Sequence, residues 1–410
     1  MLTFKQKLEN YAELIVKVGA NVQKRQTLMV QASLDSAELT RCVVRKAYEA
    51  GAYSVKVRWS DDETSRIAYD LAPEESFLEE PKWTAGEKIE LARQGAAFVT
   101  ITSADPDLLK GVSQQKMVNA NKTTRQALAP YSALARAFKV SWNLATTPSK
   151  AWAAKVFPGL PEEEQVERLW DAIFKMVRAD RPDPLALWEE HIRELKRRAA
   201  YLNGKQYAAL HYIAPGTDLT IELPDRHIWL GGSKQNEQGT WFVPNLPTEE
   251  VYTAPKRTGV NGTVTSTKPL SYSGNMIEDF TFTFENGRVV NVTAAKGEET
   301  LKGLLDTDEG ARYLGEVALV PHRSPISESN ILFYKTLFDE NASCHLAVGS
   351  AYTACVEGGV GMTPERLAEA GLNVSMAHTD FMVGSGELDI YGITADGTRE
   401  PVFQKGNWAF

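Results

Sequence analysis

Acidic residues and histidines in the second half of the chain occur at spacings that suit metal binding. His378 and Asp380 are two residues apart in MAHTDFMVG, so on an extended segment their side chains project to the same side. Imidazole and carboxylate groups are both good ligands for divalent metals. The apolar neighbours strengthen this interpretation, because a buried ionisable group needs a partner. An isolated pair of this kind is nevertheless more often a half-exposed histidine beside a turn-forming aspartate.

Three other segments also place acidic residues or a histidine beside apolar residues. Glu340 and His345 lie in FDENASCHLAVG, and Glu316 opens an apolar run in GEVALV. In NLPTEEVYTAP, strand alternation points Glu249 and Glu250 to opposite faces, so we expect one of the two to face a site. Each has an ordinary explanation when taken alone, as a satisfied core histidine or a carboxylate at a sheet edge.

The four segments together predict a metal centre with more than one ion. Their carboxylates and imidazoles exceed the four ligands of a closed structural zinc site, and the three cysteines of the chain offer no four-cysteine spacing. Carboxylate-rich sets of this size suit two divalent ions about 3.5–4 Å apart, as in hydrolases. Cys344 and Cys355 are the competing soft ligands, but their apolar or small neighbours favour inert buried thiols.

The elements that must position these residues are expected to form two domains, since 410 residues with 43% hydrophobic composition exceed the size of one core. Helical and strand patterns alternate in the first half, which predicts an α/β domain with a doubly wound parallel sheet. The predicted strands are 27–31, 53–59, 96–102 and 139–143. The predicted helices are 4–18, one between Asp35 or Ser36 and Gly51, 61–72, 81–94, 162–179 and 184–203.

After Gly204 the pattern changes to short alternating strands separated by glycine and asparagine turns. Asn286-Gly287 between two alternating runs is a strong signal for a tight hairpin. We therefore predict a mainly antiparallel α+β C-terminal domain, with helices near 298–305 and 364–370. The predicted domains are 1–204, the α/β domain, and 205–410, the metal-binding catalytic domain.

Composition and motifs exclude several functions. A net charge of −8 argues against general binding to nucleic acid or anionic membranes. Charged residues interrupt the apolar ones in the first sixteen positions, so no signal peptide is expected, and no later run is apolar enough to span a bilayer. Three cysteines give no disulfide framework, which favours a cytoplasmic location. Nucleotide-binding and serine-hydrolase motifs are absent.

The motifs NLPTEEVYTAP, GEVALV, LFDENASCHLAVGSAY and HTDFMVG occur in this order and resemble those of the thermophilic metallo-aminopeptidases of the aminopeptidase T and aminopeptidase S type. The resemblance favours Glu250 over Glu249, makes Glu316 the bridging ligand and places Tyr352 at a catalytic tyrosine position. It also implies a homodimer, an N-terminal domain that helps to enclose the substrate cavity, and activation by cobalt, zinc or magnesium. The metal ligands that it implies are Glu250, Glu316, Glu340, His345, His378 and Asp380.

The resulting prediction is a metal-dependent aminopeptidase that hydrolyses the N-terminal peptide bond of peptides with a free N-terminus. Two divalent ions would lower the pKa of a shared water, which attacks the first peptide carbonyl. Tyr352 would donate a hydrogen bond to the developing oxyanion. Glu316, or a neighbouring acid such as Glu249, would move protons.

Two alternative functions use similar residues. A two-metal phosphoesterase would need basic residues beside the site to meet phosphate charge, and the ligand segments have only Lys256, Arg257 and Arg323 near them. A non-catalytic peptide-binding protein could capture a free amino terminus with its carboxylates. Metal content separates the second alternative, because such a binder needs no metal.

Overall fold

The computed structural model describes residues 2–103, 105–272 and 275–410. The chain divides into two compact units. The first comprises Met1–Glu190 with Ser233–Pro247, and the second comprises His191–Gly232 with Thr248–Phe410. The predicted division at residue 204, and the role of the N-terminal domain in enclosing a substrate cavity, stay predictions.

The first unit contains a parallel sheet of four strands in the order β2-β1-β3-β4. Buried aliphatic residues such as Leu28, Val30 and Val99 fill its central strands. This arrangement confirms the predicted parallel α/β layer. The strands are β1 Thr27–Ser33, β2 Ser54–Ser60, β3 Ala97–Thr102 and β4 Trp142–Thr146, and a separate hairpin pairs β8 Lys234–Gln235 with β9 Trp241–Phe242.

Helices precede, connect and follow the strands of the parallel sheet, and side-chain caps explain where several of them begin. Asp61 accepts a hydrogen bond from the Thr64 amide at the start of α3, as an N-cap side chain should. Ser36 occupies the corresponding position of α2 but donates to the Ser33 carbonyl instead, so its side chain does not cap that helix. The helices are α1 Phe4–Leu14, α2 Ala37–Glu49, α3 Asp62–Leu71, α4 Lys82–Arg93, α5 Gln114–Arg136, α6 Lys150–Val156, α7 Glu162–Met176 and α8 Pro184–Lys205.

The second unit contains an antiparallel sheet of nine strands. Asn286 and Gly287 both have positive φ, at 50° and 84°, and join β13 to β14, which confirms the predicted tight turn. The order is β12-β13-β11-β6-β5-β18-β19-β20, with β14 beside β13. The strands are β5 Ala209–Ala214, β6 Thr217–Glu222, β11 Val260–Thr265, β12 Leu270–Tyr272, β13 Asn275–Glu285, β14 Arg288–Lys296, β18 Asp389–Ile393, β19 Arg399–Gln404 and β20 Asn407–Trp408.

A second antiparallel sheet, of five strands, belongs to the same unit and has the order β17-β16-β15-β10-β7. Phe381 of this sheet lies 5.2 Å from the ring of Phe282 and 5.7 Å from that of Phe280, so the two sheets share one core. The prediction of a mainly antiparallel α+β domain is confirmed. The strands are β7 Leu230–Gly231, β10 Val251–Thr253, β15 Leu314–Leu319, β16 His345–Gly349 and β17 His378–Met382, and the helices are α9 Glu298–Leu305, α10 Pro325–Glu328, α11 Thr336–Asp339 and α12 Pro364–Glu369.

In the described part of the chain, every helix is too short or too polar to cross a membrane.

Candidate metal centre

Strand alternation divides the five-stranded sheet into a core face and a face that carries ionisable residues. Ala347 of β16 pairs with Glu316 of β15 on one side and with Asp380 of β17 on the other. Directly paired residues share a face, and residues two positions apart along a strand do so as well. The core face carries Val251, Val317, Leu319, Leu346, Val348 and Phe381. The opposite face carries Glu250, Tyr252, Glu316, Ala318, His345, Ala347, His378 and Asp380.

Two clusters of potential ligand atoms form on that face. Glu250, Glu316 and His345 make one cluster, and Glu316, His378 and Asp380 make the other. Within each cluster one ligand atom per residue lies within 4.8 Å of the others. Glu316 belongs to both, which is the arrangement that a bridging carboxylate requires.

The imidazoles point their Nε2 atoms at the carboxylates. His345 Nε2 lies 3.4 Å from Glu250 Oε2, and His378 Nε2 lies 3.2 Å from Glu316 Oε2 and 3.4 Å from Asp380 Oδ1. On the far side of each ring, Nδ1 donates to a backbone carbonyl, that of Ser343 at 3.3 Å or that of Ser350 at 2.8 Å. Such a bond fixes the ring orientation and leaves Nε2 available to a metal.

Two glycines allow the strands to approach closely beside these ligands. A Cβ atom at Gly315, which precedes Glu316, would lie 2.3 Å from the Gly349 carbonyl oxygen. Gly349 has φ of 108°, and a Cβ there would lie 2.2 Å from the Ala377 carbonyl oxygen. The pairing of β15 with β16 shifts by one residue between Leu314 and Glu316, which is a bulge of the kind found beside functional sites.

The electrostatics of the two clusters favour bound cations. Burial raises the pKa of Glu316, although the His378 imidazole opposes that shift. Burial alone would lower the pKa of His345, but the Glu250 carboxylate beside it raises the pKa to about 10. Burial acts on His378 in the same way, and the carboxylates of Asp380 and Glu316 raise its pKa to about 11. The carboxylates therefore favour the protonated form of both imidazoles when no metal is bound. Carboxylate oxygens and imidazole nitrogens are also donors that suit divalent ions.

Glu340 lies near this group without belonging to either cluster. It begins the 3₁₀ turn Glu340–Ala342 directly after α11 and is half-buried. Burial, together with the carboxylates of Asp380 and Glu250, raises its pKa well above the usual range. Glu340 thus shares the acidic environment of the predicted ligands, and its role as a ligand stays a prediction.

Tyr352 lies beside the second cluster. Its ring centroid is 5.3 Å from that of His378, and the ring of Tyr252 is 5.5 Å away on another side. Desolvation of the phenol and the nearby carboxylates of Glu316 and Asp380 raise the pKa of Tyr352 well above its usual value. The hydroxyl is therefore protonated at neutral pH and can donate a hydrogen bond.

Three residues at the site were not singled out in the sequence. Tyr252 follows Glu250 by two positions, so strand alternation could have placed it on the same face. His191 donates from Nε2 to the Thr248 carbonyl at 2.8 Å and lies 3.5 Å from Glu249 Oε2. Asn341 accepts from the Glu249 amide at 2.7 Å. His191 and Asn341 are distant in sequence from the segment that they hold, so no local pattern indicates them.

The competing soft ligands have other surroundings. Cys344 donates from Sγ to the Val320 carbonyl in the core, and burial raises the pKa of its thiol to about 12. Cys355 is buried and forms no disulfide. Neither belongs to the two ligand clusters of the described residues.

Comparison with known proteins agrees with this chemistry. The family model described as thermophilic metalloprotease (M29) matches residues 4–408. The chain belongs to the M29 metalloprotease family. Aminopeptidase AmpS of Bacillus subtilis (strain 168) is 53% identical over 410 residues, with all of both chains covered. Aminopeptidase T of Thermus thermophilus is 43% identical over 408 residues and is also covered completely.

A solved structure described as wild-type AmpT from Thermus thermophilus has a TM-score of 0.94 to this chain, at 42% identity and with full coverage of both chains. The predicted family, the fold class and the prediction of a metallo-aminopeptidase enzyme are confirmed. The roles of individual residues stay predictions.

Proposed function

We propose that this M29 member hydrolyses the N-terminal peptide bond of peptides, with a water activated by two divalent ions. The observation that carries the proposal is the pair of carboxylate and imidazole clusters that share Glu316. Two clusters with one common carboxylate match the ligand set of a two-ion hydrolase better than that of a single closed zinc site.

The ligands are proposed to divide between the clusters. Glu250 and His345 would hold one ion, His378 and Asp380 the other, and Glu316 both. Glu340, whose pKa is raised by burial and by the carboxylates of Asp380 and Glu250, would be the sixth metal ligand. Zinc, cobalt or magnesium would serve as the ions. When bound, two such ions lower the pKa of a water to near neutrality and polarise the carbonyl under attack.

The residues of the chain supply the remaining chemistry. With both ions bound, the site would take the free amino group of a peptide N-terminus as a further ligand, which would place the first peptide bond at the site. Glu316, or a neighbouring acid such as Glu249, would move protons during the reaction. The protonated hydroxyl of Tyr352 would donate to the oxyanion that develops on the carbonyl.

The test compares a leucine-initiated peptide with its N-acetylated twin, using chelator-stripped protein before and after cobalt or zinc is restored. We expect metal to restore cleavage of the free-amine peptide alone. Cleavage of both peptides would contradict recognition of the amino terminus. If neither peptide is cut with any metal, the aminopeptidase proposal is wrong.

A phosphodiester substrate assayed under the same conditions tests the alternative enzyme class, and we expect no hydrolysis. The cytoplasmic location and the homodimer stay predictions from the sequence. Size-exclusion chromatography with light scattering measures the oligomeric state directly.

A further inference from the structure

Asn341 lies between two segments that carry predicted ligands. It is fully buried in the turn Glu340–Ala342. Its Oδ1 accepts a hydrogen bond from the Glu249 amide at 2.7 Å. Its Nδ2 donates to the Leu337 carbonyl at 3.0 Å and to Glu340 Oε1 at 3.4 Å. One side chain therefore joins the segment before β10 to the Glu340 carboxylate.

The partners of Asn341 permit only one orientation of its amide. The Glu249 N–H can only donate, whereas the Leu337 carbonyl can only accept. Turning the amide by 180° would face its NH₂ group toward a donor and its oxygen toward an acceptor. The orientation of the Asn341 side-chain amide is therefore fixed, and so is the distance between the two segments that it joins.

The backbone of Asn341 is held from a third segment. Ser324 is buried, donates from Oγ to the Asn341 carbonyl at 3.0 Å and accepts from the Ser327 amide at the start of α10. The turn that carries the amide is thus attached to a helix cap, which limits its movement.

His191 holds the same ligand segment at a neighbouring residue, through the Thr248 carbonyl. Asn341 differs from it because its amide also contacts the carboxylate of a predicted ligand, Glu340. A displacement of Asn341 would move the peptide unit between Thr248 and Glu249, one residue before Glu250, and would also remove a donor from Glu340.

We propose that Asn341 is a positioning residue that fixes Glu250 and Glu340 relative to each other and thereby sets the affinity of the ion held by Glu250, Glu316 and His345. The proposal rests on the proposed function for the presence of the ions. Partners of metal ligands commonly change metal affinity by about 10–100-fold when they are removed. The side-chain amide of Asn341 bonds to Glu249, Leu337 and Glu340, and not to His378 or Asp380, which would hold the other ion.

The experiment is a cobalt titration of chelator-stripped protein, followed by visible absorption and calorimetry. In Asn341→Ala we expect one ion to bind about 10–100-fold more weakly and the other to keep its wild-type affinity. Titrations of His345→Ala and His378→Ala identify which spectral component belongs to which cluster. The weakened ion should be the one that His345→Ala removes.

Asn203→Ala is the matched control. Asn203 makes the same kinds of bond, since it accepts from the Trp229 amide and donates to the Trp229 carbonyl, but these bonds lie outside the ligand segments. Thermal unfolding measures the general loss of stability in both variants. If Asn341→Ala does not fold, Asn341→Ser leaves a smaller cavity and retains a hydroxyl, and the same ion should be weakened.

The outcomes separate the two proposals. Wild-type affinity for both ions in the Asn341 variants would overturn the positioning role, and so would equal weakening in Asn203→Ala. A wild-type protein that takes up a single ion contradicts the two-ion proposal instead, and the Asn341 role is then judged on that ion. Uptake of no ion overturns both.

Discussion

The central strands of the parallel sheet and of the five-stranded antiparallel sheet are almost equally buried, yet only the antiparallel sheet carries the candidate site. In β1 the buried positions on both faces are mostly aliphatic, because each face packs against protein. All six positions of β15 are buried too, but Glu316 interrupts its aliphatic residues. The degree of burial does not distinguish the two sheets. The five-stranded sheet differs because ionisable residues occupy alternate positions of its buried strands.

Glu316→Gln tests the ligand face most severely. The amide loses the charge that both clusters share, so we expect the fold to remain while kcat/KM and cobalt affinity fall by more than about 100-fold. Glu309→Gln is the control, since Glu309 is exposed and its partners, the Arg288 guanidinium and the Tyr313 hydroxyl, lie outside the ligand clusters. Unchanged turnover in Glu316→Gln would remove that residue from the mechanism.

Ala347→Leu tests whether the two faces differ as the register requires. The larger side chain would enter the space between Glu316 and Asp380, which flank Ala347 across the strands. We expect cobalt affinity to fall by about 10–100-fold, with an overpacking cost of about 1–3 kcal/mol in the free energy of unfolding. Leu346→Met, on the core face, should retain cobalt affinity, and equal losses in both variants would contradict the assignment of faces.

The pH dependence of metal uptake tests the protonation state of the two histidines on the ligand face of the five-stranded sheet. The carboxylates raise the pKa of His345 to about 10 and that of His378 to about 11 in the absence of metal, so both rings are protonated at pH 7. Ligation needs neutral Nε2, and metal uptake therefore releases protons. We expect cobalt affinity to rise by about tenfold per pH unit for each proton displaced. Calorimetry in buffers of different ionisation enthalpy counts the protons, and a count of zero would contradict the protonated state.

Leucine truncation in the two sheets should have the smallest effect on metal. Leu28 of β1 and Leu346 of β16 are both fully buried. We expect each alanine variant to lose about 2–5 kcal/mol in the free energy of unfolding. Cobalt affinity should stay unchanged in Leu28→Ala and fall far less in Leu346→Ala than in Ala347→Leu. A large loss in Leu28→Ala would show that the parallel sheet also shapes the site.

Local patterns in the sequence were sufficient for much of the fold and for the chemistry of the site. Strand alternation, the Asn286-Gly287 turn and the spacing of His378 and Asp380 are short-range signals, and each corresponds to a feature of the structure. Helix α5 was missed because polar residues and Pro130 obscure its period.

The contacts of Asn341 and His191 could not be predicted from the sequence. Asn341 lies 92 positions from Glu249 and His191 lies 57 positions from Thr248, so their pairing depends on tertiary structure. Individual segments indicate ligand types, whereas the pairing of ligands into two clusters requires the strand register.

The order of strands in the five-stranded sheet brings Glu250 and Asp380 to one surface although they are far apart in the chain. Closing so long a loop has an entropic cost, and an ion held by Glu316 together with Glu250 or Asp380 would bind only after that closure. By mass action, an ion present at 100 times its Kd would add about 2.7 kcal/mol to the stability of the folded state. The supply of metal would then set the fraction of the chain that is folded as well as its catalytic rate.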